Sequence, residues 1–152
     1  EFQFFKKNLV FTNGVFDILH PGHIHFLRAA KELGDELFVV VANDETVKRM
    51  KGDSILSSEV RAKLISELKP VDEAVVGRSG DMLDIVVEDL KPNIVALGYD
   101  QRLFRTSELE EKLRERGLEV KVVRLPKMEH DLDGSRKIVA KIVRIHREQK
   151  QD

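Results

Sequence analysis

A chain of 152 residues, 41% hydrophobic and 35% charged, is long enough to bury a core and too apolar for a disordered segment. Its 26 Lys and Arg offset 27 Asp and Glu, so no overall field favours nucleic acid or an anionic membrane, and no apolar run reaches the ~20 residues of a bilayer span. The absence of cysteine removes disulfides, thiolate nucleophiles and Cys-ligated zinc, and with nothing resembling a signal peptide at the start a cytoplasmic location is expected.

The first strand is predicted at Leu9–Thr12 and leads through Gly14-Val15-Phe16-Asp17-Ile18-Leu19-His20-Pro21-Gly22-His23 into a helical pattern at about 24–33. In an α/β domain that join lies at the carboxyl edge of the sheet, where ligands bind. A helix starting there offers unpaired N–H groups and a positive dipole end to a phosphate. His20 and His23 add donors with partial or full positive charge near pH 7, which suits a nucleoside triphosphate. The competing reading makes them helix-start residues bonded to backbone, while His25 is a packing or surface histidine. A metal site at His20, His23 and His25 is not expected, because the region lacks Cys and His-Glu-x-x-His, and only Asp17 adds a nearby carboxylate.

The second strand, Leu37–Ala42, is followed by Lys48, Arg49 and Lys51 before Gly52, read as a basic, mobile segment. A helix at 58–68, with Ser58 as cap, precedes a third strand at Glu73–Val76. The helix at 81–90 carries Leu83, Ile85, Val86 and Val87, an apolar surface that suggests an isologous homodimer. The fourth strand, Ile94–Leu97, ends in Gly98-Tyr99-Asp100, where Gly98 suggests close backbone approach and Asp100 can accept from a ribose or base. A helix at 106–116, opened by a Ser107/Glu110 capping box, leads to a fifth strand at Val120–Arg124 and a last helix at 135–147 started by Ser135. Gly34, Pro92 and Gly117 fall where helices should stop. The pattern predicts one α/β domain over 1–152, with its core at about 9–147 and five mainly parallel strands covered by helices on both faces. No Gly-x-Gly-x-x-Gly follows the first strand and no P-loop occurs, which argues against dinucleotide dehydrogenases and P-loop kinases.

Gly14-x-Phe16-Asp17-x-x-His20-x-Gly22-His23 resembles the signature of the cytidylyltransferase-like nucleotidyltransferases. From Val10 to about Arg144 the chain is more similar to one branch, the archaeal FAD synthases, through Ala42–Lys48, Leu68–Asp72, Leu97–Gln101 and Gly134–Val139. The resemblance implies a Rossmann-like fold and transfer of AMP from ATP to FMN, giving FAD and pyrophosphate. Cytidylyl transfer from CTP to a small phosphorylated alcohol such as glycerol 3-phosphate is the enzymatic alternative, and a non-catalytic nucleotide-binding module a third.

By that resemblance, Val15, Phe16, Pro21 and Gly22 run along the nucleotide, His20 and His23 meet its phosphates, and Gly22 lets the backbone come near. Lys48 and Lys51 become phosphate contacts, with Lys51 joining His20 and His23 as catalytic, and Asp100 lies against the nucleotide. Ser135 presents its hydroxyl and helix N–H groups to phosphate oxygens. Mg²⁺ or another divalent cation is held largely by the triphosphate, without protein ligands. Relatives commonly have Lys-Gly-Arg where this chain has Lys51-Gly52-Asp53, and two hydroxyl residues where it has Gly134-Ser135. Arg61 matches an arginine early in the next family helix, placed to order this loop or to reach substrate.

Overall fold

The computed structural model describes residues 7–79, 82–101, 105–127 and 134–151. Short Val-rich runs form five strands, β1 (Leu9–Gly14), β2 (Glu36–Val41), β3 (Glu73–Val76), β4 (Ile94–Leu97) and β5 (Lys121–Arg124). Their order is β3-β2-β1-β4-β5, and every pairing is parallel. The chain winds outward from β1 through β2 to β3, then returns to place β4 on the other flank of β1. The crevice at the carboxyl ends of β1 and β4 is therefore the topological switch point, the usual ligand position in such sheets.

Period-two alternation distributes the strand residues between two cores. Val10, Leu37, Val39, Val41 and Ala96 face one cluster with Leu27 and Ala30 of α1 (Pro21–Glu32) and Ala62 and Ile65 of α3 (Ser58–Ser66). Phe11, Val40, Val95 and Leu97 face the other, with Leu109 and Leu113 of α5 (Thr106–Glu115). Helices on both faces are what continuous apolar strands require. The last helix, α6 (Ser135–Lys150), buries none of its residues, and its Val139, Ile142, Val143 and Ile145 are exposed.

Several sequence expectations change. The basic stretch after β2 is the helix α2 (Asp44–Lys51), capped by Asn43, whose side chain accepts from Thr46 N–H at 2.8 Å, and ended by Gly52 at φ 93°. Only Val47 of this helix is buried, so apolar periodicity could not reveal it. Ser57, not Ser58, caps α3, and the Ser58 hydroxyl instead meets Asp44. Arg105 is the N-cap of α5 with no side-chain bond, which leaves Ser107 inside the helix and removes the capping box. Of the helix expected at 81–90, residue 81 lies outside the described residues; α4 (Met82–Asp84) runs into a π-helical turn at Ile85–Leu90 that Lys91 ends in the left-handed conformation. Val86 is buried there, and Leu83, Ile85 and Val87 pack on the second core, so the surplus apolar surface offered for dimerisation is spent internally.

Candidate active site at the β1–α1 turn

The turn after β1 is built around a ring placed over a glycine. Phe16 takes φ 52°, and a Cβ on Gly14 would stand 2.7 Å from its Cε2, so Gly14 is required. Phe16 is buried in the core and meets His23 edge-on, with ring centroids 5.2 Å apart at 65°. His23 in turn stacks on His20 at 3.7 Å and 24°. Phe16 therefore supports the imidazoles with its side chain and has only backbone to offer a nucleotide.

His20 is the N-cap of α1, and its Nδ1 accepts from Gly22 N–H at 3.1 Å. The backbone-bonding role weighed against a phosphate role is thus realised at His20. With Nδ1 taken by Gly22 N–H, a phosphate contact from the His20 ring runs through Nε2. The helix start does not offer the set of unpaired N–H groups expected from the sequence. Pro21 has none, Gly22 is used by His20, and His23 N–H bonds the His20 carbonyl at 3.0 Å. Any donor array for an anion here must be mostly side chain.

The His23 pKa is pushed down to about 4, first by burial and then by the neighbouring His20 and Lys51. The ring is therefore neutral at pH 7, contrary to the charge expected from the sequence. Its Nδ1 is buried without a hydrogen-bond partner, an exception that calls for a functional account. Lys51, the last residue of α2, is near enough to His23 for its charge to lower the imidazole pKa. Lys48 lines a cavity of about 520 Å³ with Asp44, Glu45, Asp53, Ser54 and Ser57.

Two side chains tie the 52–57 loop to this turn. The Asp17 carboxylate accepts from Ile55 N–H at 2.8 Å and Leu56 N–H at 2.9 Å. Arg61, fully buried, donates to the carbonyls of Leu56 at 3.0 Å, Val15 at 2.8 Å and Ala42 at 2.8 Å, and pairs with Asp44 at 2.9 Å. Asp44 is held below the usual carboxylate range by the Ser58 backbone N–H and then by Arg61. Sequence reading missed the anchoring by Asp17, because nothing local to the motif names residues 55 and 56 as its partners.

Across the switch point, Gln101 organises the end of β4. Its Oε1 accepts from Gly98 N–H at 2.7 Å and its Nε2 donates to the carbonyl and side-chain oxygen of Asn13, each at 3.1 Å. Arg124 donates to the carbonyls of Gly98 and Gln101. Asp100 is exposed beside this network, with its Oδ1 3.0 Å from where a Gly98 Cβ would be, so Gly98 leaves room for side chains of its own turn. Tyr99 is also exposed and lies under the Lys127 ammonium, 5.5 Å from the ring centroid. Ser135 does occupy the first turn of α6, exposed, after Gly134 as N-cap without a side-chain bond. Residues 128–133, which join it to β5, lie outside the described residues. Among the described residues, no three His, Cys, Asp or Glu are grouped to hold a metal ion, and no helix is long and apolar enough to cross a membrane.

The sequence matches the cytidylyltransferase-like family over residues 11–147. It is 55% identical over 135 residues to an FAD synthase of Aciduliprofundum boonei, covering 88% of this chain and 89% of that one. It is 49% identical over 142 residues to an FAD synthase of Pyrococcus abyssi, covering 92% and 95%. A solved structure from Thermoplasma volcanium, described as a lipopolysaccharide core biosynthesis protein, is 48% identical with a TM-score of 0.77, and covers 82% of this chain and 100% of that one.

Proposed function

The chain belongs to the cytidylyltransferase-like family, and from that membership we propose that it transfers the AMP moiety of ATP to FMN, forming FAD and pyrophosphate. The acceptor and donor come from the FAD synthase relatives. The chemistry rests on one observation, the stacked His20–His23 pair at the carboxyl edge of the sheet, within reach of the Lys51 charge.

In this reaction an oxygen of the FMN phosphate attacks the α-phosphorus of ATP. The new P–O bond forms as the bond to the β-phosphate oxygen breaks, and pyrophosphate departs. The attacking phosphate is ionised near neutral pH, so the protein needs no strong base, only alignment and stabilisation of charge on the α-phosphoryl oxygens. His20 gives a fixed Nε2–H donor because its Nδ1 is held by Gly22. His23 is neutral before the triphosphate arrives; the anion's field raises its pKa and favours a charged donor. Lys51 neutralises phosphate charge, and Lys48, about one turn earlier in α2, adds a second phosphate contact. Val15, Pro21 and Gly22 lie alongside the nucleotide, Asp100 accepts from its ribose or base, and Ser135 caps a phosphate oxygen. The donors at the turn are imidazoles and amines, which fits a Mg²⁺ carried by the triphosphate oxygens, where it supplies charge neutralisation.

The enzyme works as a cytoplasmic homodimer, the assembly implied by the resemblance, and light scattering giving a mass near 17.4 kDa would contradict that part alone. The activity is tested by pyrophosphate release with ATP or CTP, each paired with FMN, glycerol 3-phosphate and phosphocholine. Release with ATP plus FMN is expected. Turnover confined to CTP and a phosphorylated alcohol would overturn the substrate assignment.

A further inference from the structure

Among the described residues Arg61 is the largest side chain that is wholly buried, and its charge is not explained by packing. Burying a guanidinium is costly, and an apolar residue of similar volume would fill the same space without that cost. What an apolar residue could not do is donate along a planar fork in several directions at once. Here the fork reaches four places: the end of β2 at Ala42, the start of α2 at Asp44, the 52–57 loop at Leu56, and the signature turn at Val15.

The Val15 contact bears on the site. Phe16 holds a left-handed backbone that an aromatic residue rarely adopts, and such a conformation persists only where its surroundings over-determine it. The bond from Arg61 Nη1 to the Val15 carbonyl, at 2.8 Å, fixes the peptide that enters Phe16. The Phe16 ring then sets the edge of His23, which stacks on His20.

We propose that Arg61 is a positioning residue for nucleotidyl transfer, acting through the Val15–Phe16 peptide on the orientation of His23. The inference rests on the reading of His23 as a phosphate donor. Arg61 touches neither substrate; its effect is on the maximal rate, because a small misplacement of a donor can cost about 100-fold in rate.

The test compares wild type with Arg61→Lys and Arg61→Gln at a temperature where each is folded, measuring kcat and KM for ATP, melting temperature, and the imidazole ¹H–¹⁵N signals. For Arg61→Gln we expect kcat lowered by about 10- to 100-fold with KM for ATP within about threefold, and for Arg61→Lys a partial recovery. The His20 and His23 signals should move while that of His146, on α6, stays. A lowered melting temperature with unchanged kcat and unmoved His20 and His23 signals would make Arg61 a core residue only and overturn the inference. Asp44→Asn provides a variant on the half-exposed partner of the fork, which does not depend on tolerance of a change at the buried site. It should shift the same imidazole signals to a smaller extent, and unmoved signals there would also count against the inference. Wild type is assayed first: no turnover in wild type would refute the proposed function, whereas turnover preserved in the Arg61 variants refutes only the role of Arg61. The imidazole signals report on positioning even without turnover.

Discussion

The signature turn and the start of α6 are both marked by sequence as phosphate-binding, yet the fold treats them differently. Around the turn, Gly22 and Phe16 hold the imidazole pair through a hydrogen bond and a ring contact, while Arg61 and Asp17 tie the turn to the 52–57 loop. At α6, Ser135 is exposed on a helix that buries no residue. A motif gives the residue type a phosphate needs; only packing tells whether that residue is already in place. Preorganised donors contribute most to rate, because nothing has to be reordered as charge develops.

That contrast orders the expected effects of substitution. His23→Ala should lower kcat by roughly 10²–10³-fold with a smaller change in ATP affinity, measured by single-turnover kinetics and calorimetry. A collapse of ATP binding with chemistry intact would move His23 out of the preorganised catalytic set. Lys51→Ala, at the end of α2, should lower kcat/KM by about 10-fold, the scale of one lost charged hydrogen bond, and the loss should shrink as salt rises. A salt-independent effect would assign Lys51 a structural role. Ser135→Ala should change kcat/KM by less than about threefold, since an exposed, unpacked position usually contributes little. A loss as large as that of His23→Ala would show that α6 is as firmly placed during catalysis as the signature turn.

The depressed His23 pKa adds a test of packing without turnover. The unfolded chain takes a proton near pH 6.5 and the folded chain only near about pH 4, so between these values the unfolded state binds more protons. Stability should therefore fall as pH drops through that window and gain no further penalty from this group below it. His23→Asn should flatten the dependence of melting temperature on pH between about 4 and 6.5. ATP, by raising the pKa of the folded ring, should be bound with proton uptake in the same range, which calorimetry in buffers of different ionisation enthalpy would detect.

The sheet was legible because β1, β2 and β4 are short apolar runs, and burial on both faces leaves little else for Val10–Phe11 or Val39–Val41 to do. The helix α2 was not, since one buried residue, Val47, gives no periodicity, although Asn43 followed by Asp44 and Glu45 is a start signal that could have found it. His20, His23 and Lys51 were legible as a group through the motif and its spacing. The neutral state of His23 was not, because it arises from burial and from Lys51, which a chain reversal through β2 and α2 brings alongside. Arg61 is the intermediate case: the sequence marks the position, and only the three carbonyls and the Asp44 carboxylate around it explain the charge.

A turn built in advance moves the AMP group of ATP, α-phosphorus included, onto the phosphate of FMN and leaves pyrophosphate behind. ATP labelled at the α-phosphate, incubated with FMN, Mg²⁺ and the protein, tests it most directly. The label should appear in FAD while the pyrophosphate released carries none, and His23→Ala should slow its appearance without changing where it goes. Label recovered in pyrophosphate or orthophosphate, or its absence from FAD while ATP is consumed, would contradict the account.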